Sequence, residues 1–141
     1  MKQIICGIDH PALAVSDVDA FAEWCCRMLD FEKVIRLDKP VWILRGPDGT
    51  LLEIMPEDGT PRPQRTTWTP GWSHLALRVE DIEQAGAALE QRGVIFAGPP
   101  APAAGGGRVR NFYDPDGNLW QIIERPWTME AKEAPSKSLR R

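Results

Sequence analysis

Histidine and cysteine are scarce in this 141-residue chain, with two of the first and three of the second. Three cysteines, two of them adjacent at Cys25 and Cys26, cannot build the disulfide framework of a small secreted domain. A reducing, cytoplasmic compartment is the resulting expectation. Long apolar runs are missing too, so the sequence offers no helix able to span a membrane. Residues 1–7 hold no apolar core of the kind a secretory signal carries, and none is expected. Positive charge is not in excess: 17 Lys and Arg stand against 20 Asp and Glu, a net charge of −3. That excludes a general nucleic-acid binder, which needs a basic surface. What remains is ordinary for one compact domain, with 43% hydrophobic and 26% charged residues. Composition alone says nothing about chemistry.

The chain repeats itself. His10-Pro11-Ala12-Leu13-Ala14-Val15-Ser16-Asp17 aligns with His74-Leu75-Ala76-Leu77-Arg78-Val79-Glu80-Asp81, with five of the eight positions identical. Pro47-Asp48-Gly49-Thr50-Leu51-Leu52-Glu53-Ile54 aligns with Pro115-Asp116-Gly117-Asn118-Leu119-Trp120-Gln121-Ile122. The offset grows from 64 (10 to 74) to 68 (47 to 115), and the loop from Gly98 to Gly107 has room for the four extra residues.

Each copy reads as βαβββ. In the first, a strand over about residues 4–15 precedes a helix from Asp17 to about Leu29. That helix is capped by Ser16 and carries an apolar stripe of Val18, Phe21, Ala22, Cys25 and Leu29. Strands near 32–37, 40–46 and 50–56 follow. In the second, a strand near 73–79 precedes a helix with the stripe Ile82, Ala85 and Leu89, stopped by Gly93. Strands near 94–97, 108–113 and 118–124 complete it. Each closing pair turns on Pro-Asp-Gly, where proline presets φ and glycine accepts a positive one. The expected organisation is one domain over residues 1–126, with module one at about 4–56, a connector at 57–72 and module two at about 73–125. Residues 127–141 form a loosely held tail. The fold class is α+β, two tandem modules.

The repeat also places chemistry. The only two histidines, His10 and His74, are equivalent, and so are Glu53 and Gln121. Strand alternation puts His10 with Ala12 and Ala14, and His74 with Ala76, on small-residue faces that leave room for a ligand. Two imidazoles, a carboxylate and an amide offer only nitrogen and oxygen donors, which suits a divalent ion such as Zn, Ni, Co, Mn or Fe(II). A satisfied polar group in each first strand is the plainer alternative.

These motifs, His10 in the first strand, His74 in GWSHLALRV and the closing FYDPDGNLWQIIE, resemble the vicinal oxygen chelate superfamily of glyoxalase I, methylmalonyl-CoA epimerase, extradiol dioxygenases and bleomycin-resistance proteins. The resemblance spans about residues 4–125. It implies a curved mixed sheet around a cavity, a homodimer, and a metal held by His10, Glu53, His74 and Gln121. Position 121 departs from glyoxalase I and the ring-cleaving dioxygenases, which carry glutamate there. An amide oxygen can ligate but cannot take a proton near neutral pH, so Glu53 is left as the obvious base. Glu124 falls on the opposite face of a regular strand and is read as a salt-bridge partner.

The function this implies is metal-dependent lyase or isomerase chemistry of the glyoxalase type. The substrate would be a small carbonyl compound with vicinal oxygens, reacting through an enediolate. Two alternatives stand beside it: a metal-free small-molecule binding protein of the resistance type, and an Fe(II) extradiol ring-cleaving dioxygenase. Arg78, Trp42 and Arg108 are candidates to meet substrate, with Trp68, Trp72 and Arg110 weighed beside them against packing or a solvated rim. The Gly105-Gly106-Gly107 run lacks the Lys-Ser/Thr of a phosphate loop and is read as a mobile cover. Cys25 is expected in the core.

Overall fold

The computed structural model describes residues 2–127. They fall into two compact units, one ending at Arg62 and the other starting at Pro63, so the boundary lies inside the expected connector. In the first unit, β1 (Ala12–Val15), α1 (Val18–Leu29), β2 (Glu32–Arg36), β3 (Trp42–Arg45) and β4 (Leu51–Pro56) follow in chain order. The sheet order is β1-β4-β3-β2. β1 runs parallel to β4 and the other pairs are antiparallel. The second unit repeats this with β5 (Leu75–Arg78), α2 (Ile82–Arg92), β6 (Ala101–Pro102), β7 (Arg108–Tyr113) and β8 (Leu119–Glu124), in the order β5-β8-β7-β6. Two four-stranded mixed sheets, each with one helix, make the expected α+β fold.

In each unit the helix covers one sheet face. Val18, Phe21, Ala22, Cys25 and Leu29 are all buried, and α1 packs on β4, β3 and β2 over Leu44, Leu52 and Ile54. In β1 Val15 is buried while Ala12 and Ala14 stay exposed, as alternation requires. α2 buries Ile82, Gly86 and Leu89. Gly86 takes the innermost place in the second turn, and Ala85 is only half-buried. Beneath α2 lie Phe112 and Trp120, stacked at 6.1 Å, with Phe96 edge-on to Phe112 at 5.7 Å.

Several boundaries differ from the sequence reading, each for a physical reason. β1 begins only at Ala12, not near residue 4, because Pro11 has no N–H to give a neighbouring strand. Its equivalent Leu75 opens β5. The cap of α1 is Asp17, whose carboxylate accepts from the Ala20 N–H; Ser16 precedes it. Asp81 caps α2 in the same way, and Gly93 ends it at φ 108°. The strand expected at 94–97 shrinks to a single bridge, Phe96 with Phe112. The short strand β6 appears instead inside the Gly/Pro-rich loop. The expected tail lies outside the described residues except for Trp127.

Both Pro-Asp-Gly turns form, with Gly49 at φ 89° and Gly117 at φ 86°. The second is reinforced by buried Asp114, which accepts hydrogen bonds from the Asp116 and Asn118 N–H groups, Asn118 Nδ2 and Trp120 Nε1. Burial pushes the Asp114 carboxyl up against the opposing pull of these four donors.

The Gly-rich loop is pinned rather than free. Arg125 donates to the Ala104 and Gly106 carbonyls, and Trp127 Nε1 donates to Gly105 O at 3.0 Å. Ala103 N–H donates to Gly107 O at 3.0 Å and closes the β6–β7 hairpin. Gly107, at φ 91°, lies so close to β8 that an added Cβ would sit 1.8 Å from Glu124 O. Gly107→Ala should therefore destabilise the protein by about 2–4 kcal/mol, from positive φ plus a backbone clash. Gly117→Ala, with no atom within 4 Å of the added carbon, should cost only about 1–2 kcal/mol. Urea unfolding of the two variants tests the difference, and equal losses would refute it.

Candidate functional site

In the first unit the parallel register sets Ala12 opposite Glu53, and the Glu53 N–H donates to Pro11 O at 3.1 Å. That backbone bond draws His10 beside the carboxylate. His10 Nε2 lies 3.1 Å from Glu53 Oε2, and its Nδ1 lies 2.7 Å from Asp9 Oδ1. Leu52 and Ile54 point into the core on either side of Glu53, so the carboxylate emerges on the face away from α1. Its side chain is 25% exposed and that of His10 37%.

The second unit reproduces the register. Ala76 stands opposite Gln121, as Ala12 stands opposite Glu53. Gln121 is 8% exposed and flanked by Trp120 and Ile122, which point to the helix side. His74 Nδ1 lies 2.8 Å from Ser73 Oγ, and that hydroxyl donates to Thr67 O at 2.9 Å.

The two imidazoles are tuned in opposite directions. The hydrogen bond to Asp9, helped by both neighbouring carboxylates, raises His10 above its ordinary value despite some desolvation. Desolvation lowers His74, and among the described residues no carboxylate opposes it.

Of the substrate candidates, Arg78 lies on the exposed face of β5 with Ala76, its guanidinium 5.1 Å from the Trp127 ring. Trp42 and Arg108 lie on the helix faces of their sheets. Trp42 pairs in register with buried Ile54, donates to Asp19 of α1 at 2.8 Å and carries Lys33 over its ring. Arg108 pairs in register with Glu124 and binds Glu83 of α2 at 3.0 Å. Arg110 is taken up by Phe96, Gly98 O and Glu90. Trp68 and Trp72 pack in neither core nor connector, being 89% and 97% exposed. Glu124 accepts from the Ile82 N–H at the start of α2 and lies 3.8 Å from Arg108, the supporting role its strand position suggested. Among the described residues, no three His, Cys, Asp or Glu side chains are arranged to hold a metal ion. Asp9 and Ser73 were not foreseen. The available signal was a polar residue directly before each of the two equivalent histidines.

Residues 7–122 match the Glyoxalase/Bleomycin resistance protein/Dioxygenase superfamily, and the chain belongs to that superfamily. A member of the superfamily from Sphaerobacter thermophilus DSM 20745 is similar at 26% identity and a TM-score of 0.69, over 86% of this chain and 98% of that one. FosX, a fosfomycin resistance protein from Listeria monocytogenes complexed with Mn(II) and sulfate, has 22% identity and a TM-score of 0.69, over 90% and 94% of the two chains. TnmS3, an antibiotic binding protein from Streptomyces sp. CB03234, also has 22% identity and a TM-score of 0.69, over 88% and 99%. At that identity the last two show the fold alone. No curated protein matches the chain.

The opposite tuning of the histidines is measurable. In metal-free protein the His10 ring should titrate above the usual 6.5 and the His74 ring below it. The contribution of His10 to stability is then present below pH 6.5 and lost as pH rises through its own midpoint. His74 works the other way: its contribution is lost as pH falls from 6.5 through its lowered midpoint. Two ring signals in an NMR titration read this directly, and coincident midpoints would refute the assignment.

Proposed function

We propose that this protein is a divalent-metal-dependent enzyme of the glyoxalase type, with His10, Glu53 and His74 as ligands and the Gln121 amide oxygen as a fourth donor. The observation that carries the reading is the contact of His10 Nε2 with Glu53 Oε2 at 3.1 Å. Ligands about 2.1 Å from one ion stand roughly 3.0 Å apart at a right angle and about 3.4 Å apart in a tetrahedron. With Nδ1 drawn to Asp9 at 2.7 Å, the neutral ring presents its Nε2 lone pair to the Glu53 oxygen, and a cation between the two would relieve their repulsion. Below its raised midpoint the metal-free His10 ring carries a second proton, which fills that place. Support for His74 and Gln121 comes from the repeat, which gives Gln121 the same register to Ala76 that Glu53 has to Ala12.

A bound divalent ion would supply Lewis-acid charge to two adjacent oxygens of a small substrate. Among the neighbours, a point mutant of FosX occurs in complex with Mn(II) and 1S,2S-dihydroxypropylphosphonic acid, a ligand with vicinal oxygens. The rest of the chemistry belongs to the chain. Glu53 is the carboxylate placed to accept a proton from the carbon beside a carbonyl, leaving an enediolate. Gln121 cannot take that proton and instead holds or hydrogen-bonds a substrate oxygen. Arg78, on the open face of β5, meets an anionic group.

A second reading is binding without turnover. It is favoured by the amide at position 121 and by the fold shared with an antibiotic binding protein. Homodimerisation belongs to the proposal as well, supported by the large apolar side chains left exposed at Ile4, Ile5, Ile8, Trp68 and Trp72.

Metal content separates the two readings. Protein purified without chelator should carry about one transition metal per chain, and His74→Ala should lose it. No metal in either sample, and no uptake of Zn, Ni, Co, Mn or Fe(II), would reject the enzyme and leave the binding protein. In the metal-loaded enzyme, Gln121→Glu should raise proton-transfer rates on 2-oxoaldehyde adducts or acyl-CoA esters by about 10-fold or more, the scale of an added general base. An unchanged rate with intact metal would remove position 121 from the proton path.

A further inference from the structure

We infer that Asp9 and Ser73 are positioning residues that set the same ring tautomer, Nδ1–H with a bare Nε2, in His10 and His74. The consequence for metal binding rests on the reading above, but the tautomer assignment itself does not.

Proton bookkeeping carries the argument. A serine hydroxyl has one proton to give and lone pairs to accept with. Ser73 Oγ lies 2.9 Å from Thr67 O, a carbonyl that can only accept, so the hydroxyl proton goes there. The contact of Ser73 Oγ with His74 Nδ1 at 2.8 Å must then run the other way, with Nδ1–H donating to the oxygen. The neutral ring has no second proton, and Nε2 keeps its lone pair.

In the first unit a different group gives the same result. Both ring nitrogens of His10 face a carboxylate oxygen, which can only accept. Asp9 Oδ1 at 2.7 Å stands closer to Nδ1 than Glu53 Oε2 at 3.1 Å stands to Nε2, so the one proton of the neutral ring goes to Nδ1. His10 Nε2 is left facing Glu53. Neither Asp9 nor Ser73 reaches the atoms that would bind a metal or substrate. Each acts through the histidine that follows it, holding ring plane and tautomer as outer partners of metal-bound histidines do.

Equivalent position with unlike chemistry has a further consequence. Asp9 lends charge to His10 and makes Nε2 a stronger donor, whereas the Thr67–Ser73 relay orients His74 without adding charge. His10 is thus the tighter ligand and His74 the weaker.

Two histidines make the test clean. Long-range proton–nitrogen correlation spectra of metal-free, nitrogen-15-labelled protein, taken at alkaline pH where both rings are neutral, should show the Nδ1–H pattern for both. Ser73→Ala should move only His74 toward the Nε2–H form that free imidazole side chains favour, and Asp9→Ala only His10. Ser73→Thr and Asp9→Asn, which keep an accepting oxygen, should retain the native pattern and show that lost fold is not the cause. Calorimetric titration with Zn(II) should then give about 10- to 100-fold weaker binding for each alanine variant than for wild type. Rings that keep the Nδ1–H form in the alanine variants, or wild-type rings in the Nε2–H form, would overturn the inference. Tautomers that move as stated in a protein that takes up no metal in any form would uphold Asp9 and Ser73 and reject the metal reading alone.

Discussion

The arrangement depends on one pairing made twice: a parallel strand pair in which the residue two after each histidine stands opposite the donor of the fourth strand. Ala12 faces Glu53 and Ala76 faces Gln121. A one-residue slip in either pair would turn the donor into the core and bring a leucine or tryptophan outward. The register is held from behind by burial. Leu52 and Ile54 under α1, and Trp120 and Ile122 in the second unit, leave Glu53 and Gln121 no other face to occupy. The small residues Ala12, Ala14 and Ala76 then keep the front face low beside each histidine. Packing energy is thereby converted into the placement of polar atoms.

On this common frame the two units have diverged in charge. His10 contacts two carboxylates, Asp9 and Glu53, whereas His74 contacts the Ser73 hydroxyl, and the strand position equivalent to Glu53 holds the Gln121 amide. The opposite displacement of the two imidazoles from their ordinary basicity follows from that difference. The inequality is reversed at the turns. Gly46 sits where the second unit has Asp114, a carboxylate taken out of solvent by four donors and by the stacked aromatics behind it. The first turn relies instead on Asp48, which accepts from the Thr50 N–H and hydroxyl.

Much of this was legible in the sequence because a repeat is a strong constraint. Two copies of His-x-Ala-Leu-x-Val and two Pro-Asp-Gly turns imply two equal modules, and the apolar stripe of α1 is the set of residues it buries. The losses occurred where local chemistry overrode the pattern. Pro11 ended a strand that alternation alone would have extended. Asp17, with its carboxylate, capped a helix that Ser16 also could have capped. Phe96 became an aromatic brace against Phe112 rather than part of a ladder. Trp42 and Arg108 looked like substrate contacts by residue type, although their register partners Ile54 and Glu124 already placed them on the helix faces. Asp9 and Ser73 escaped notice because the two copies solve one orientation problem with unlike side chains, which identity matching does not detect.

The amide at position 121 decides how far membership of the superfamily constrains the chemistry. With glutamate at both donor positions, a site with two histidines holds a divalent ion close to neutral and offers a second base. In the proposed site, with Glu53 as the sole carboxylate ligand, one net positive charge would stay on a bound divalent ion, strengthening its hold on anionic oxygens and lowering the pKa of water bound there. The same change removes a proton acceptor, so in that proposal proton transfer would fall to Glu53, the carboxylate that also contacts His10. A group shared in that way is a weaker base than a free one, because each positive neighbour that holds it also lowers its affinity for the substrate's proton. The arrangement therefore suits substrates whose C–H is already acidic, or ligands that need polarising and holding rather than deprotonating.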